Sequence, residues 1–283
     1  MDRAVFESHF LTFITGGDCR FWSVNPYKLC DYRCTYCITR VQGRSAPTVA
    51  SQAEALSCLS EALDKIPGDQ TILVGGISDA YPLAESEFEI TRNILKLLIS
   101  RRRKFCIVTK STLIERDADL LKDYRDGRVE FSFSTLDDSI AALYELQAPS
   151  PSSRMALLHD FFSKGIRVTV ALRPWIPQVS DVRAFLEATP DTVDIGLERL
   201  KIMRNSRTFS IAGRTLTQAQ IDSQYLLARE QFSDCKRLQW SMDERFSSDS
   251  NDNEHPVSII VRENQKTLQQ QILPQFTDEA SRR

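Results

Sequence analysis

Three cysteines lie close together in the first part of the sequence, at Cys30, Cys34 and Cys37, and Tyr36 directly precedes the last of them. Cysteine thiolates are soft ligands that hold iron–sulfur clusters at short, fixed spacings. Three of them would ligate three irons of a 4Fe–4S cluster and leave the fourth iron open. An open coordination position lets a metal bind and activate a small molecule. We therefore predict a 4Fe–4S cluster at this loop, with the Tyr36 ring beside it.

The alternative for the same three cysteines is a structural zinc loop or a chance spacing. A structural zinc ion takes four ligands, so it would need a further Cys or His close to this loop. The three histidines of the chain, His9, His159 and His255, all lie elsewhere in the sequence. The spacing therefore favours a cluster over zinc.

The composition is that of an ordinary globular chain without an excess of positive charge. The 283 residues suffice for one large domain or two small ones. Lys and Arg number 36 and Asp and Glu number 38, which gives a formal net charge of −2. Proteins that act mainly through phosphate contacts usually carry a basic excess. Nucleic acid is therefore not the favoured partner, although a local basic patch stays open.

The cysteine count and the hydrophobic pattern bear on the compartment. Seven cysteines are an odd number and no secretion signal is evident, so we expect no disulfide framework. Acidic Asp2 and Glu7 interrupt the apolar N-terminal stretch, which argues against a signal peptide. No run of about 18 apolar residues is present, so we expect no transmembrane helix and no membrane partner. We expect a cytoplasmic protein, where reducing conditions suit an oxygen-sensitive cluster.

Short apolar strands alternate with amphipathic helices as far as about residue 200. Such strands between helices predict a parallel sheet covered by helices, and right-handed crossovers curl the sheet. Six units favour the α/β class and a partial (β/α)6 TIM barrel over a doubly wound open sheet or a full eight-unit barrel. In a barrel the strand ends converge on one face, where we expect the chemistry. The predicted strands are residues 19–24, 71–74, 104–108, 129–133, 166–172 and 193–197.

Three helix starts are predicted from their capping residues. Ser51 with Glu54 and Ser86 with Glu89 match the capping box, in which a serine side chain and a glutamate three residues later satisfy the first backbone amides. Ser180 is predicted to cap a third helix.

We divide the chain into three parts around the barrel. Residues 1–18 form an N-terminal extension with one amphipathic turn, residues 19–200 form the partial barrel, and residues 201–283 form a C-terminal extension. Within the C-terminal extension we predict, in order, a helix, a polar flexible loop and an added strand, at residues 218–232, 247–254 and 257–261.

The cysteine loop resembles the signature of the radical S-adenosylmethionine (SAM) superfamily, in which an aromatic residue precedes the last of three cysteines at this spacing. The core fold of that superfamily is the partial barrel predicted above. The resemblance implies that the open iron of a 4Fe–4S cluster binds SAM. One electron, from a donor such as flavodoxin or ferredoxin, would cleave SAM to methionine and a 5′-deoxyadenosyl radical, which abstracts a substrate hydrogen.

Further motifs resemble the spore photoproduct lyase-like (DNA repair photolyase-like) branch of that superfamily. They occur in the same order and extend over about residues 20–200, so their joint signal is stronger than any single motif. The matching segments are residues 25–27 (NPY), 78–85 (SDAYPLAE), 109–111 (TKS), 116–117 (RD), 145–151 (ELQAPSP) with Arg154, and 173–177 (RPWIP).

The residues after the second strand are candidate cofactor contacts. Gly75 and Gly76 stand where the family binds the SAM amino group with a glycine-rich turn, and glycine lets a backbone approach a ligand closely. An ordinary turn between strand and helix is the alternative. The resemblance places Ser78 near the methionine part of SAM, and Asp79 and Tyr36 are further candidates.

The ends of the third and fourth strands carry the remaining cofactor candidates. The resemblance implies that Lys110 and a serine of the fourth strand, Ser132 or Ser134, bind the carboxylate and ribose of SAM. These residue types suit the task, because lysine supplies a point charge for a carboxylate and serine supplies a hydroxyl for polar groups.

Three charged residues are candidates for the catalytic site. Arg173 ends the fifth strand, so we expect it to point into the barrel mouth and contact a substrate anion. Glu145 and Arg154 are expected to form an ion pair that orients groups over the site. A purely structural salt bridge is the alternative for that pair.

The chain departs from photoproduct lyase at a functional position. That enzyme uses a cysteine after the second strand to return a hydrogen atom, whereas this chain has Gly76, Ile77 and Ser78 there. Ile38 also replaces an aromatic residue common after the third cysteine, and Cys235 is more simply an ordinary thiol than a hydrogen donor. We therefore predict a radical SAM enzyme acting on a small-molecule or nucleotide-like substrate. The alternatives are a nucleic-acid repair or modification enzyme on this scaffold, and a non-catalytic iron–sulfur or zinc protein.

Overall fold

The structure, a computed structural model, describes residues 11–16, 19–27, 30–37, 49–202, 206–211 and 213–241. Ten strands lie in this part of the chain. In order they are β1 (Leu11–Gly16), β2 (Cys19–Val24), β3 (Ile72–Val74), β4 (Phe105–Thr109), β5 (Gly127–Phe133), β6 (Val168–Trp175), β7 (Ile195–Arg199), β8 (Thr208–Ile211), β9 (Arg214–Thr217) and β10 (Leu238–Trp240).

Eight of these strands form one sheet, in the order β1-β2-β3-β4-β5-β6-β7-β10. Strands β2 to β7 pair with their neighbours in parallel, β10 joins β7 in parallel, and β1 closes the other edge antiparallel to β2. The α/β partial barrel predicted from the sequence is therefore confirmed. Strands β8 and β9 form a separate antiparallel hairpin.

The sheet extends beyond the six predicted strands at both edges. The expected turn before Gly16 is instead strand β1, which pairs along its full length with β2. At the other edge β10 comes from the segment predicted as a C-terminal extension. The polar loop predicted at 247–254 and the strand predicted at 257–261 lie outside the described residues.

Eight α-helices connect the strands in the described part of the chain. In order they are α1 (Val49–Leu63), α2 (Glu85–Phe88), α3 (Ile90–Ser100), α4 (Ala118–Leu121), α5 (Asp138–Ala142), α6 (Pro151–Ser163), α7 (Val182–Ala188) and α8 (Gln218–Gln231), with a 3₁₀ helix at Leu113–Asp117 before α4. None of the helices in these described ranges is both long and apolar enough to cross a bilayer.

All three predicted helix starts are wrong. Glu89 takes a left-handed conformation (φ 49°) between α2 and α3, so the predicted box at Ser86 does not form. The carboxylate of Glu85 accepts the amides of Thr91 (2.8 Å) and Arg92 (3.1 Å) at the start of α3 instead. Asp181 caps α7 in place of the predicted Ser180. Helix α1 begins at Val49, so Ser51 lies inside it.

The two faces of β5 differ in character, and this alternation defines the inside of the barrel. Phe131 packs edge-on against Phe161 of α6, and Phe133 packs edge-on against Phe185 of α7. Fully burying a side chain of this size stabilises the fold by about 1.5–3 kcal/mol. Because strand side chains alternate, the residues between them point to the opposite, inner face. The inner face of β5 is therefore polar and can serve a site.

Candidate active site

The cysteine loop, residues 30–37, follows the end of β2. Cys34 is buried, Cys30 and Cys37 are partly buried, and none of the three forms a disulfide within the described part of the chain. Arg33 takes a left-handed conformation (φ 50°), and the Cys37 amide donates to the Cys34 carbonyl at 3.1 Å. These turns keep three soft ligands within one short loop at the C-terminal end of a strand.

The protein surroundings of Cys30 and Cys34 disfavour the thiolate. Burial, and next the Asp79 carboxylate, raise the pKa of the Cys30 thiol well above its usual range. Burial raises the pKa of the Cys34 thiol to about 11, although the Lys110 ammonium opposes that shift. A metal that binds them must displace their protons. In the described part of the chain no set of three His, Cys, Asp or Glu side chains is already arranged around a metal position.

One side of the cysteine loop is fastened to residues 144–147, which we call the strap. The Thr35 amide donates to the Tyr144 carbonyl at 2.8 Å, and the Gln147 amide donates to the Tyr32 carbonyl at 3.0 Å. Between them Cys34 and Glu145 form an isolated antiparallel bridge. The strap therefore fixes the backbone at the central cysteine.

A buried carboxylate joins the strap to the cysteine loop through side chains. The Tyr36 hydroxyl donates to Glu145 at 2.5 Å, and the Ser134 hydroxyl donates to the same carboxylate at 2.6 Å. Arg154 forms an ion pair with Glu145 and donates to the Ser132 carbonyl at 2.6 Å. Glu145 is 3% exposed and Arg154 is fully buried. The pair is thus a support beneath the site rather than a group open to a substrate.

The charge state of Glu145 follows from its partners. Burial alone would raise the pKa of this carboxyl group, but the cations Lys110 and Arg154 and the hydroxyls of Ser134 and Tyr36 hold the pKa below its usual range. Glu145 is therefore a carboxylate at neutral pH, and it balances the Arg154 charge inside the protein.

Lys110, directly after β4, brings an ammonium group to the same place. Its Nζ donates to the Ser132 hydroxyl at 2.7 Å and lies 5.7 Å from the centre of the Tyr36 ring. The side chain is largely buried. The structure therefore brings together the predicted residues Tyr36, Lys110 and Ser132 beside the cysteine loop, with Ser134 behind them.

The glycine pair after β3 is enclosed by the protein itself. Gly75 has φ 87°, and a Cβ there would stand 2.8 Å from both the Ala80 amide and the Val108 carbonyl. A Cβ at Gly76 would stand 2.7 Å from the Ser23 hydroxyl. Packing and the positive φ thus require glycine at Gly75, whereas the close neighbours of Gly76 are side-chain atoms. The predicted contact of both glycines with SAM stays a prediction.

The polar groups of Ser78 and Asp79 form hydrogen bonds within the protein. The Ser78 hydroxyl donates to the Tyr27 carbonyl. Asp79 accepts from the Thr109 hydroxyl at 2.6 Å and from the amides of Lys110 at 2.7 Å and Tyr81 at 2.8 Å. Burial raises the pKa of Asp79 even though these hydrogen bonds favour the charged form. Asp79 thereby holds the end of β4, and so Lys110, in place.

The other side of the cysteine loop rests on the segment after β3. The Tyr32 hydroxyl donates to the Tyr81 carbonyl at 2.7 Å, and Asp31 accepts the Leu83 amide at 3.0 Å. The Tyr81 hydroxyl in turn donates to the buried carboxylate of Asp117 at 2.9 Å. The loop is therefore held from both sides by groups distant in sequence.

The motif residues of this region form one buried network around Glu85. Tyr27 donates to the Glu85 carboxylate, and Arg116 pairs with it at 2.6 Å. Arg116 and Arg92 both pair with Asp117, at 3.1 and 2.5 Å. Glu85 and Asp117 are fully buried. The motifs at 25–27, 78–85 and 116–117 thus have a shared structural role, which is to support the cysteine loop.

A Glu85→Gln protein should lose about 2 kcal/mol of unfolding free energy, because a charged hydrogen-bond acceptor for buried donors is replaced by a neutral one. Urea denaturation of the metal-free protein under reducing conditions measures the loss. Glu87→Gln is the matched control, since Glu87 lies on the same helix and is exposed. Equal unfolding free energies of the two variants would show that the Glu85 network does not stabilise the fold.

Arg173 lies on the inner face of β6, between carboxylates of the two neighbouring strands. Its Nη1 pairs with Glu130 of β5 at 2.7 Å, and its Nε lies 3.9 Å from Glu198 of β7. Glu198 also pairs with Lys201 at 2.8 Å. The Arg173 side chain is 41% exposed and that of Glu198 is 37% exposed. A substrate that reaches Arg173 would therefore also meet a carboxylate.

The sequence did not reveal Glu130 and Glu198 as site residues. Glu130 lies between the buried residues Val129 and Phe131, and Glu198 follows buried Leu197. Because strand side chains alternate, both glutamates lie on the same inner face as Arg173. Cys235 lies apart from this group, in the turn between α8 and β10, where it packs against the main core. Trp175 is buried and forms an edge-on pair with Tyr225, so it is a core residue.

The family model of the radical SAM superfamily matches residues 24–188, more than half of the chain. The chain belongs to the radical SAM superfamily. The match contains the cysteine loop, the glycine pair, Lys110 and the strap. Membership makes the protein an enzyme and implies a 4Fe–4S cluster and SAM as its cofactors. The three cysteine thiols of residues 30–37 are a donor set that fits such a cluster.

Several proteins are similar to this radical SAM chain in sequence. An uncharacterized protein of Methanocaldococcus jannaschii, MJ0683, is 28% identical over 188 residues, which are 66% of this chain and 72% of that protein. ORF301 of the Acidianus two-tailed virus is 28% identical across 151 residues, which are 50% of this chain and 50% of that protein. An uncharacterized Mycobacterium tuberculosis protein, Rv2578c, is 25% identical over 56% of this chain and 51% of its own.

Solved radical SAM structures share the fold at low identity. Streptococcus suis SuiB bound to SAM aligns with a TM-score of 0.56 and 14% identity, over 77% of this chain and 49% of that one. An anSMEcpe structure with bound AdoMet gives 0.55 and 13%, over 77% and 61%. Spore photoproduct lyase with a dinucleoside spore photoproduct gives 0.51 and 13%, over 76% and 74%. These likenesses establish the fold alone.

Proposed function

We propose that this radical SAM protein holds a 4Fe–4S cluster through Cys30, Cys34 and Cys37 and uses it to cleave SAM reductively. When bound, the cluster supplies the electron for a cleavage that yields methionine and a 5′-deoxyadenosyl radical. The observation that carries the proposal is the placement of the three cysteine thiols in a loop that hydrogen bonds hold on two sides, beside the Lys110 ammonium.

The protein groups around the loop have separate tasks in this proposal. Lys110 presents a positive charge at the Ser132 hydroxyl, where a carboxylate of SAM gains a charge-assisted hydrogen bond. Tyr36 is held by Glu145, so its ring keeps a fixed position beside that charge. Glu145 and Arg154 act as positioning residues, because both are buried and contact Tyr36, Ser132 and Ser134.

The substrate in this proposal is a small or nucleotide-like molecule that enters the inside of the barrel. Arg173 is exposed and Glu198 is partly exposed there, and together they offer a hydrogen-bond donor next to an acceptor. A nucleobase or an amide edge matches such a pair better than a highly charged phosphate, because two carboxylates flank Arg173. The electron donor would be a small carrier such as flavodoxin or ferredoxin, and a reducing cytoplasm suits the three thiols.

Repair or modification of nucleic acid on the same scaffold is the second candidate. The observation in its favour is the Glu85 network, which is built from the motifs shared with the photoproduct lyase-like branch. The residues after β3 oppose thymine-dimer repair itself, because Gly76, Ile77 and Ser78 supply no thiol. Tight duplex binding that weakens steeply with salt would favour this candidate.

The test is anaerobic reconstitution with iron and sulfide, reduction with dithionite, and electron paramagnetic resonance (EPR) with and without SAM. A reduced 4Fe–4S signal that shifts when SAM is added supports the proposal. A reconstituted cluster whose signal ignores SAM refutes direct SAM binding. A chain that holds tetrahedral zinc and no cluster would instead be a non-catalytic metal protein.

A Lys110→Met protein should reconstitute its cluster but require about ten- to a hundredfold more SAM for the EPR shift, because a charged hydrogen bond is lost. Lys164→Met is the control, since Lys164 is exposed and pairs only locally with Asp160. An unchanged SAM titration in Lys110→Met would remove Lys110 from the binding site.

A further inference from the structure

A second apolar core lies beside the cysteine loop, apart from the main core of the barrel. Its buried members include Tyr144 of the strap, Ile211 and Leu216 of the β8–β9 hairpin and Ile221 of α8, and the partly buried Tyr36 packs against it. The strap, the cysteine loop and the C-terminal part of the chain therefore share one packed cluster. The hairpin lies beyond residues 24–188, which the family model matches.

The hairpin depends on this second core for its own fold. Phe209 and Leu216 are cross-strand partners, and Ile211 lies on the same face as Phe209 because strand side chains alternate. Ile211 is 5% exposed and Leu216 is 7% exposed. An isolated two-stranded hairpin is only marginally stable in water. The burial of this apolar face against the second core is therefore what holds the hairpin in place.

Hydrogen bonds at the start of α8 fasten the segment that carries the hairpin to the end of β7. The Ile202 amide donates to the Gln218 side chain at 2.7 Å, and the same side chain donates to the Leu200 carbonyl at 3.0 Å. Thr217, the last residue of β9, caps α8. The residues before and after the hairpin are thus held together, and the hairpin has a fixed position relative to β7.

Tyr144 connects the second core to the groups that hold Tyr36. Its carbonyl accepts the Thr35 amide at 2.8 Å, and its ring centre lies 5.6 Å from that of Tyr36. Its hydroxyl lies 3.1 Å from the Ser134 hydroxyl and donates to it, because Ser134 donates its own proton to Glu145. Tyr144 is buried. A shift of this residue would therefore disturb the backbone before Tyr36, its ring contact and the carboxylate that holds its hydroxyl.

We propose that the β8–β9 hairpin, acting through Tyr144, positions Tyr36 and the cysteine loop for SAM. The inference rests on the proposed function, since Tyr36 matters for SAM only when the loop holds the cluster. Tyr144 is a positioning residue, because it acts on SAM through Tyr36 and the strap. A segment outside the family match in this way sets the affinity of the chain for SAM.

Hydrogen exchange in the metal-free chain tests the first step, which is the coupling of the hairpin to the cysteine loop. Leu216→Ala truncates the second core. Leu238→Ala is the matched control, because Leu238 is a strand residue of similar burial (8% exposed) in the main core. Both truncations should lower the melting temperature, by roughly 5–15 °C. Measured equally far below each melting temperature, the amides of residues 30–37 should exchange on the order of tenfold faster in Leu216→Ala than in Leu238→Ala. Equal exchange in the two variants overturns the coupling.

A SAM titration of the reconstituted protein, followed by EPR, tests the second step. Tyr144→Leu should require about two- to tenfold more SAM than the parent protein, because the pair of aromatic rings is lost. Tyr144→Phe keeps the ring and should restore most of that affinity. A Tyr144→Leu protein that binds SAM as the parent does overturns the positioning role.

Two further outcomes keep the test decisive. If Tyr144→Leu does not fold, the same titration compares Leu216→Ala with Leu238→Ala, and equal SAM requirements overturn the proposal. A parent protein whose signal ignores SAM refutes the proposed function and with it the SAM part of this inference. The hydrogen-exchange comparison still decides in that case whether the hairpin supports the cysteine loop.

Discussion

A Cys34→Ala protein should fold, but it should fail to assemble a stable 4Fe–4S cluster and should produce no 5′-deoxyadenosine from SAM. Cys34 is the central thiol of the loop, and its backbone is bridged to the strap at Glu145. Removing the thiol leaves two ligands, too few to hold the cluster at its usual sites. Iron and sulfide content, the EPR signal and chromatography of the SAM products measure the effect.

The control for this loss is Cys235→Ala. Cys235 is also a free, partly buried thiol, but it lies in the turn before β10 and away from the cysteine loop. It should keep the cluster and the SAM cleavage of the parent protein. If Cys34→Ala binds iron and sulfide as well as Cys235→Ala does, the three-cysteine assignment is wrong.

A Glu145→Ala protein should lose about 3–5 kcal/mol of unfolding free energy, since it leaves the fully buried Arg154 without its counter-charge. It also removes the acceptor of the Tyr36 and Ser134 hydroxyls. Urea denaturation of the metal-free chain, monitored by circular dichroism, measures the loss.

A double variant separates stability from positioning at this pair. Glu145→Leu with Arg154→Met replaces the buried ions by apolar side chains of similar size, which commonly restores stability. Tyr36 still lacks its acceptor in that protein, so the SAM-dependent shift of the EPR signal should stay weak while the melting temperature recovers. A normal SAM shift in the stable double variant would show that the ion pair serves the fold only.

Local patterns account for the parts of the structure that the sequence predicted. Strand β2 has the predicted limits, and helix α8 ends one residue before its predicted end, because both are signalled by neighbouring residues. The cysteine loop was predicted because its three cysteines lie close together in the sequence. Gly165 follows the end of α6 in the left-handed region (φ 73°), a conformation that glycine adopts without strain.

The features that the sequence did not predict depend on partners far away in the chain. Ser86 matches a capping pattern, yet Glu85 caps the next helix because Arg116 and Tyr27 hold its carboxylate in place. Ser180 donates to the Ser134 carbonyl instead of capping α7. Strand β10 has only three residues, too few for a periodic signal, and it exists because β7 offers an edge.

The two-sided support of the cysteine loop has a consequence for the order of events during synthesis. The loop contacts Tyr81 and Leu83 on one side and the strap on the other, and the Tyr36 contact with Glu145 joins residues 109 positions apart. A chain emerging from the ribosome at about 5–20 residues per second therefore exposes its three thiols before their support exists. Iron delivered before the strap emerges would meet flexible, solvent-accessible ligands. If the loop holds the proposed cluster, we expect faithful loading only after the strap, residues 144–147, has emerged and folded.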